Sequence, residues 1–160
     1  MTVRPVRPDD VPAVVDLVRE LADYEKALHE ARMTEEQLSA ALFGDSPALF
    51  GHVAVADDGA VVGMALWFLN FSTWRGTHGI YLEDLYVQPA SRGTGLGREL
   101  LRTLAEVCVE AGYSRLEWSV LDWNTPAIDF YRAAGALPME GWTVFRLTDE
   151  ALPRFAADRR

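Results

Sequence analysis

Residues 88–100 read QPASRGTGLGREL, with glycines at positions 93, 95 and 97. Immediately before them, IYLEDLYV (80–87) carries the β-branched and aromatic residues of a strand. Immediately after, GLGRELLRTLAEVCVEAG places Leu100, Leu101, Leu104, Val107 and Cys108 on or near one helix face, with Gly112 past its end. Strand, glycine turn and helix are contiguous, so the chain is mixed α/β here. Glycine at alternate positions permits a close approach to the backbone, and a helix N-terminus offers free N–H groups and a positive dipole end to a phosphate-like anion. Two familiar phosphate loops fail on inspection. The dinucleotide fingerprint requires glycine where Leu100 stands, and the P-loop requires Lys then Ser or Thr after its last glycine. What remains is R-G-x-G-x-G, where Arg92 adds positive charge beside the cradle. A tight strand-to-helix turn with no ligand explains these six residues nearly as well.

Working outward toward the N-terminus, the sequence predicts a short strand at Val3 to Val6. A helix follows through DDVPAVVDLVRELADYE, where Val11, Val14, Val15, Val18 and Leu21 recur at helical spacing. Thr34 and Gln37 form a capping box for a second helix, TEEQLSAALF, stopped at Gly44. HVAVADDGAVVGMALWFLNF reads as two strands joined at Asp57, Asp58 and Gly59. Toward the C-terminus a strand is expected in SRLEWSVLDW, then a short helix opened by Asn124, Thr125 and Pro126, then a strand around WTVFRL. No repeat or linker interrupts the order, and 160 residues with 49% hydrophobic content predict one domain, 1–160.

No run approaches the roughly 18 apolar residues that cross a bilayer, and no signal-peptide pattern opens the chain, so a soluble, cytoplasmic protein is expected. The lone Cys108 excludes an internal disulfide and a multi-cysteine metal site. A formal net charge of -9 argues against extended nucleic-acid binding and is compatible with a cationic substrate, although solubility alone also accounts for it. His29, His52 and His78 show no metal-like spacing, and no metal is expected.

The glycine segment does not stand alone. LEDLYVQP, RGTGLG and WNTPAIDFYRAAGA together resemble the GCN5-related N-acetyltransferase (GNAT) family, and the likeness runs from VRPDD and ELADYE to EGWTVFRL. Within the family the chain is similar to the diamine (spermidine/spermine) and thialysine N-acetyltransferase branch. The resemblance implies an α/β fold with a single mixed, mostly antiparallel sheet, splayed where two central strands part and flanked by helices. It implies acetyl-CoA as donor. Backbone groups of Leu85, Tyr86 and Val87 would hold the acetyl-pantetheine end, and Arg92, Gly93, Thr94, Gly95, Leu96, Gly97 and Arg98 the pyrophosphate. Asn124, Thr125, Pro126 and Ala127 would make further donor contacts. The resemblance also implies a homodimer whose sites draw on both chains.

Acetyl transfer to an amine needs the nucleophile neutral, and an alkylamine of pKa ~10.4 is neutral in about one molecule per thousand at pH 7, a cost of roughly 4 to 5 kcal/mol. A carboxylate relays that proton. Glu83 and Asp84 lie on the strand before the glycine loop; adjacent strand residues point to opposite faces unless a bulge intervenes. The resemblance selects Glu83 as the base and Tyr131 as the acid that protonates the CoA sulfur. On pattern alone Tyr131, next to Phe130, reads as a packed aromatic, and Asp84 as a hydrogen-bonded surface acid. Trp74, Trp123 and Trp142 have faces that attract cations, and core packing is the alternative for each. By resemblance Tyr24, Glu25, Glu117, Trp118, Ser119 and Glu140 also contact the acceptor; surface or packing roles are the alternative.

The chain departs from the animal polyamine enzymes in three places. Ser72 stands where they carry an acid two residues before Trp74, and Arg75 adds a positive charge after it. The basic run after the catalytic tyrosine is reduced to Arg132, Ala133 and Ala134, and the loop before Trp142 is shorter. A long polyamine loses one attractive contact and meets a repulsive one. The expected activity is direct acetyl transfer to a primary amine of a small cation: a diamine, a polyamine or a thialysine- or lysine-like amino acid. The alternatives are a protein lysine or N-terminal acetyltransferase and a non-catalytic acetyl-CoA sensor.

Overall fold

The computed structural model describes residues 1–158, which group into two compact units, one spanning Met1–Asn124 and one beginning at Thr125. In the first unit the order is β1 (Thr2–Pro5), α1 (Val11–Tyr24), α2 (Glu35–Phe43), β2 (Phe50–Val55), β3 (Val61–Ser72), β4 (Thr77–Val87), α3 (Leu96–Ala111) and β5 (Leu116–Glu117). The five strands form one sheet in chain order, antiparallel except for the parallel β4–β5 pair. This is the mixed, mostly antiparallel sheet that the family resemblance implies.

Alternation along the strands decides how the helices seat. Val53, Met64, Leu66 and Tyr86 present one face to Val11, Val14, Val15 and Leu17 of α1 and to Leu38 and Leu42 of α2. Helix α3 buries a stripe of its own, Leu96, Leu100, Leu101, Leu104 and Cys108, against the sheet. Each such side chain contributes about 1.5–3 kcal/mol when fully buried. The entry to α1 is fixed by Asp10, whose carboxylate accepts from Arg4 at 2.6 and 2.9 Å and from the Arg7 backbone at 2.7 Å. Arg4 chiefly holds the Asp10 pKa below its ordinary value. The capping box of α2 forms as predicted, Thr34 Oγ1 accepting from Gln37 N at 3.2 Å and Gln37 Oε1 accepting from Thr34 N at 3.0 Å.

A bulge and a short edge strand give the sheet its irregular flank. Strand β4 carries the bulge: Leu66 faces Asp84 while the next residue of β3, Trp67, faces Leu82, so Glu83 has no partner. Strand β5 pairs with β4 only at Ile80–Leu116 and Tyr81–Glu117. Beyond Tyr81, β4 runs on to Val87 with no ladder on that side among the described residues, and the sheet is open there.

The second unit contains α4 (Thr125–Ala133) and α5 (Ala151–Ala157). The strand expected around WTVFRL does not form, and residues 142–147 have no regular secondary structure. Val144 and Phe145 are 83% and 92% exposed. The strand expected over 114–123 contracts to Leu116–Glu117, which makes β5 an edge strand of the sheet.

Candidate active site

The glycine turn links β4 to α3. Gly93 and Gly95 adopt φ +77° and +90°, backbone conformations that side-chain-bearing residues rarely take, and a Cβ built on either meets nothing within 4 Å. Glycine is therefore required by the path of the backbone, and the space above the turn is open. Gly95 is the N-cap of α3, so the first-turn N–H groups of Leu96, Gly97 and Arg98 have no partner within the helix. An anion fits this donor set. Arg92 is fixed beside it, its Nε donating to Val87 O at 2.9 Å and its guanidinium 5.4 Å from the ring centres of both Tyr24 and Tyr86. Thr94 Oγ1 donates to Ser91 O at 2.7 Å, which tightens the turn.

Upstream of the turn, the bulge gathers the acidic residues. Glu83 is exposed, and Asp84, one position on, is half-buried. Burial pushes the Asp84 carboxyl up to about 6, with smaller contributions from the charges of Glu83 and Glu25. Burial also raises the Glu25 pKa at the end of α1. Three carboxylates from two elements thus share one electrostatic environment beside the open flank of β4, where Leu85, Tyr86 and Val87 lie. A carboxyl held near 6 is ionised at neutral pH yet basic enough to exchange a proton. Such a group attracts an ammonium and suits proton transfer from it.

The end of α1 makes a second set of contacts. Tyr24 Oη donates to Asn124 Oδ1 at 3.1 Å, and its ring lies 5.9 Å from that of Trp123. Lys26 Nζ sits 5.2 Å from the Trp123 centroid. An internal cation therefore already lies against the ring proposed for an amine. Asn124 is buried.

Glu117 is committed inside the fold: it pairs with Arg115 Nε at 2.7 Å and accepts from Asn70 Nδ2 at 3.0 Å. These contacts anchor β5 at the point where it leaves β4. Tyr81 of β4 and Ser119, two residues past the end of β5, share a hydrogen bond of 2.8 Å, and Trp118 is half-buried. Trp74 lies on the β3–β4 turn and is 90% exposed. The Ser72 hydroxyl beneath that turn accepts from Arg75 N at 3.2 Å. Sequence reasoning missed Arg115 and Asn70, because a strand clamp is a cross-strand relation with no local signature.

Thr125, Pro126 and Ala127 open α4 in the second unit, and Tyr131 is half-buried on the same helix with its ring 5.3 Å from Phe130. Glu140 and Trp142 are exposed further along that unit.

Comparison with known proteins gives a consistent result. The model of the acetyltransferase (GNAT) family matches residues 14–136. Thialysine N-epsilon-acetyltransferase of Bos taurus is 40% identical over 96% of both chains. Spermidine/spermine N(1)-acetyltransferase-like protein 1 of Homo sapiens is 31% identical over 94% of this chain and 23% of its own length. Among solved structures, an integron cassette protein from the mobile metagenome of V. cholerae superposes with a TM-score of 0.81 at 24% identity, covering 98% of each chain, which is a likeness of fold.

Proposed function

This chain belongs to the acetyltransferase (GNAT) family and is an N-acetyltransferase, and on that footing we propose that it transfers acetyl from acetyl-CoA directly to a primary amine of a small cation, a diamine, polyamine or thialysine- or lysine-like amino acid. The observation that carries the acceptor class is the carboxylate group of Glu25, Glu83 and Asp84 beside the open flank of β4. Acetyl-CoA supplies an activated thioester when bound. Arg92 to Arg98 would hold its pyrophosphate, the backbone of Leu85, Tyr86 and Val87 would receive its acyl end, and Asn124 to Ala127 would supply further donor contacts. Backbone N–H groups near Leu85 would polarise its acetyl carbonyl. With acetyl-CoA bound, Asp84 would hold the ammonium, Glu83 would take its first proton through water, and the Tyr131 hydroxyl would supply the proton the leaving thiolate needs, its own being restored by the second proton released from the acylated nitrogen.

In this reading residues 1–160 work as one acetyltransferase domain, and the family match across the boundary between the two units supports that. The active species is a homodimer, supported by the exposed Trp74 and the exposed apolar residues Val144 and Phe145. A cytoplasmic setting goes with the single free cysteine. Among the described residues no helix is long and apolar enough to cross a membrane.

The test is CoA release from acetyl-CoA in the presence of putrescine, spermidine, spermine, thialysine, lysine or a lysine-containing peptide. Turnover of a small amine above the peptide is expected; preference for the peptide would overturn the acceptor class. Tyr131→Phe should bind acetyl-CoA like the unmodified protein and lose about 10²-fold or more in kcat. Undiminished turnover removes Tyr131 from the chemistry.

A further inference from the structure

Resting on the donor-site reading above, we propose that Tyr24 is a positioning residue for the donor site and not a contact of the acceptor amine. Family likeness places Tyr24 among acceptor contacts, but its hydroxyl is already committed, donating to Asn124 Oδ1 at 3.1 Å. Its ring supports the Arg92 guanidinium at 5.4 Å and packs on Trp123 at 5.9 Å. The two donor-side segments of the first unit, the loop at Arg92 and the turn ending at Asn124, are far apart in sequence and meet on this one phenol. Both need fixing. Arg92 is exposed and would otherwise sample many rotamers, whereas here Val87 O, Tyr86 and Tyr24 define its place. Asn124 is buried, and the phenol hydroxyl anchors its carboxamide. A binding group ordered before the ligand arrives spares the complex that ordering cost, so the phenol acts on affinity for the donor.

The consequence separates donor from acceptor. Tyr24→Phe keeps the ring and removes only the hydroxyl. Calorimetric titration with CoA, which involves no turnover, should show Kd raised about three- to tenfold, the net worth of one hydrogen bond. The KM for thialysine should stay within twofold. Tyr24→Phe combined with Asn124→Ala should bind CoA no more weakly than Asn124→Ala alone, because the hydroxyl acts through that carboxamide. Tyr24→Leu, which also withdraws the support under Arg92, should lose further affinity. An unchanged CoA Kd in Tyr24→Phe overturns the proposal, as does a raised thialysine KM with CoA binding intact, or additive losses in the double variant. If the unmodified protein binds no CoA, the donor-site reading itself fails and takes this proposal with it; the other outcomes leave that reading standing.

Discussion

At Asp84, burial and two like charges act in the same direction, and the sign of the result is testable in stability as well as in rate. The folded carboxyl titrates at about 6 against an ordinary 3.8. Between those values the folded chain binds more protons than the unfolded one, so stability falls as pH rises through the window and the penalty is complete above about 6. Asp84→Asn should therefore be more stable than the unmodified protein at pH 8, by roughly 1–3 kcal/mol given partial exposure, with the difference vanishing toward pH 4. Urea denaturation at both pH values measures it; equal differences at both would sink the assignment. Kinetics gives an independent reading. The proposed role predicts an acid limb near pH 6 in kcat/KM that Asp84→Asn abolishes. Glu83→Gln should move the limb downward, because one repelling charge has gone, and should also lower kcat.

At the level of elements, the turn between β4 and α3 is the part that must keep its backbone. Gly95 sits at φ +90° as the N-cap of α3, and alanine there is strained by about 1–2 kcal/mol. Gly95→Ala should lower stability by that amount and weaken CoA binding by about tenfold or more, since the first-turn N–H groups are displaced. Gly59 in the β2–β3 turn has the same φ and the same open surroundings. Gly59→Ala should cost comparable stability and leave CoA affinity unaltered; a loss of affinity there would mean that the Gly95 effect is not local to the donor loop. The elements that were legible in the sequence, α1, the capped α2, the β2–β3 hairpin and the β4–turn–α3 unit, are those specified within their own residues by apolar period, caps and turn glycines. Two others were not. WTVFRL has strand composition but forms no ladder, because a strand exists only through a partner, and alternation names none. The bulge at Glu83 was equally hidden, since it is a difference in register between β3 and β4 that neither strand carries alone. The family likeness names Glu83 as the base, and pattern alone makes Asp84 a surface acid, whereas the fold half-buries Asp84 beside the charges of Glu83 and Glu25.

At the scale of the molecule, the position of Trp74 bears on the proposed dimer. It lies on the turn before Thr77, and Asp84 is seven residues further along β4, roughly 23 Å at 3.3 Å per residue. An indole at that end of the strand does not reach Glu83 or Asp84 of its own chain. If it contributes to an acceptor site, that site belongs to a second copy, related by the two-fold symmetry usual for dimers. Mixing two defective variants tests this. Trp74→Ala keeps Tyr131, and Tyr131→Phe keeps Trp74. In a refolded equimolar mixture half the dimers are mixed, and each mixed dimer contains one site with both residues intact when the residues come from different chains. Activity at low amine concentration should then recover to about a quarter of that of the unmodified dimer. Were Trp74 and Tyr131 to serve the same chain's site, the mixture would show only the average of its two parents. Sedimentation velocity on the unmodified protein supplies the premise: a monomer at micromolar concentration would leave Trp74 with no second site to enter, and the dimer would have to be abandoned along with it.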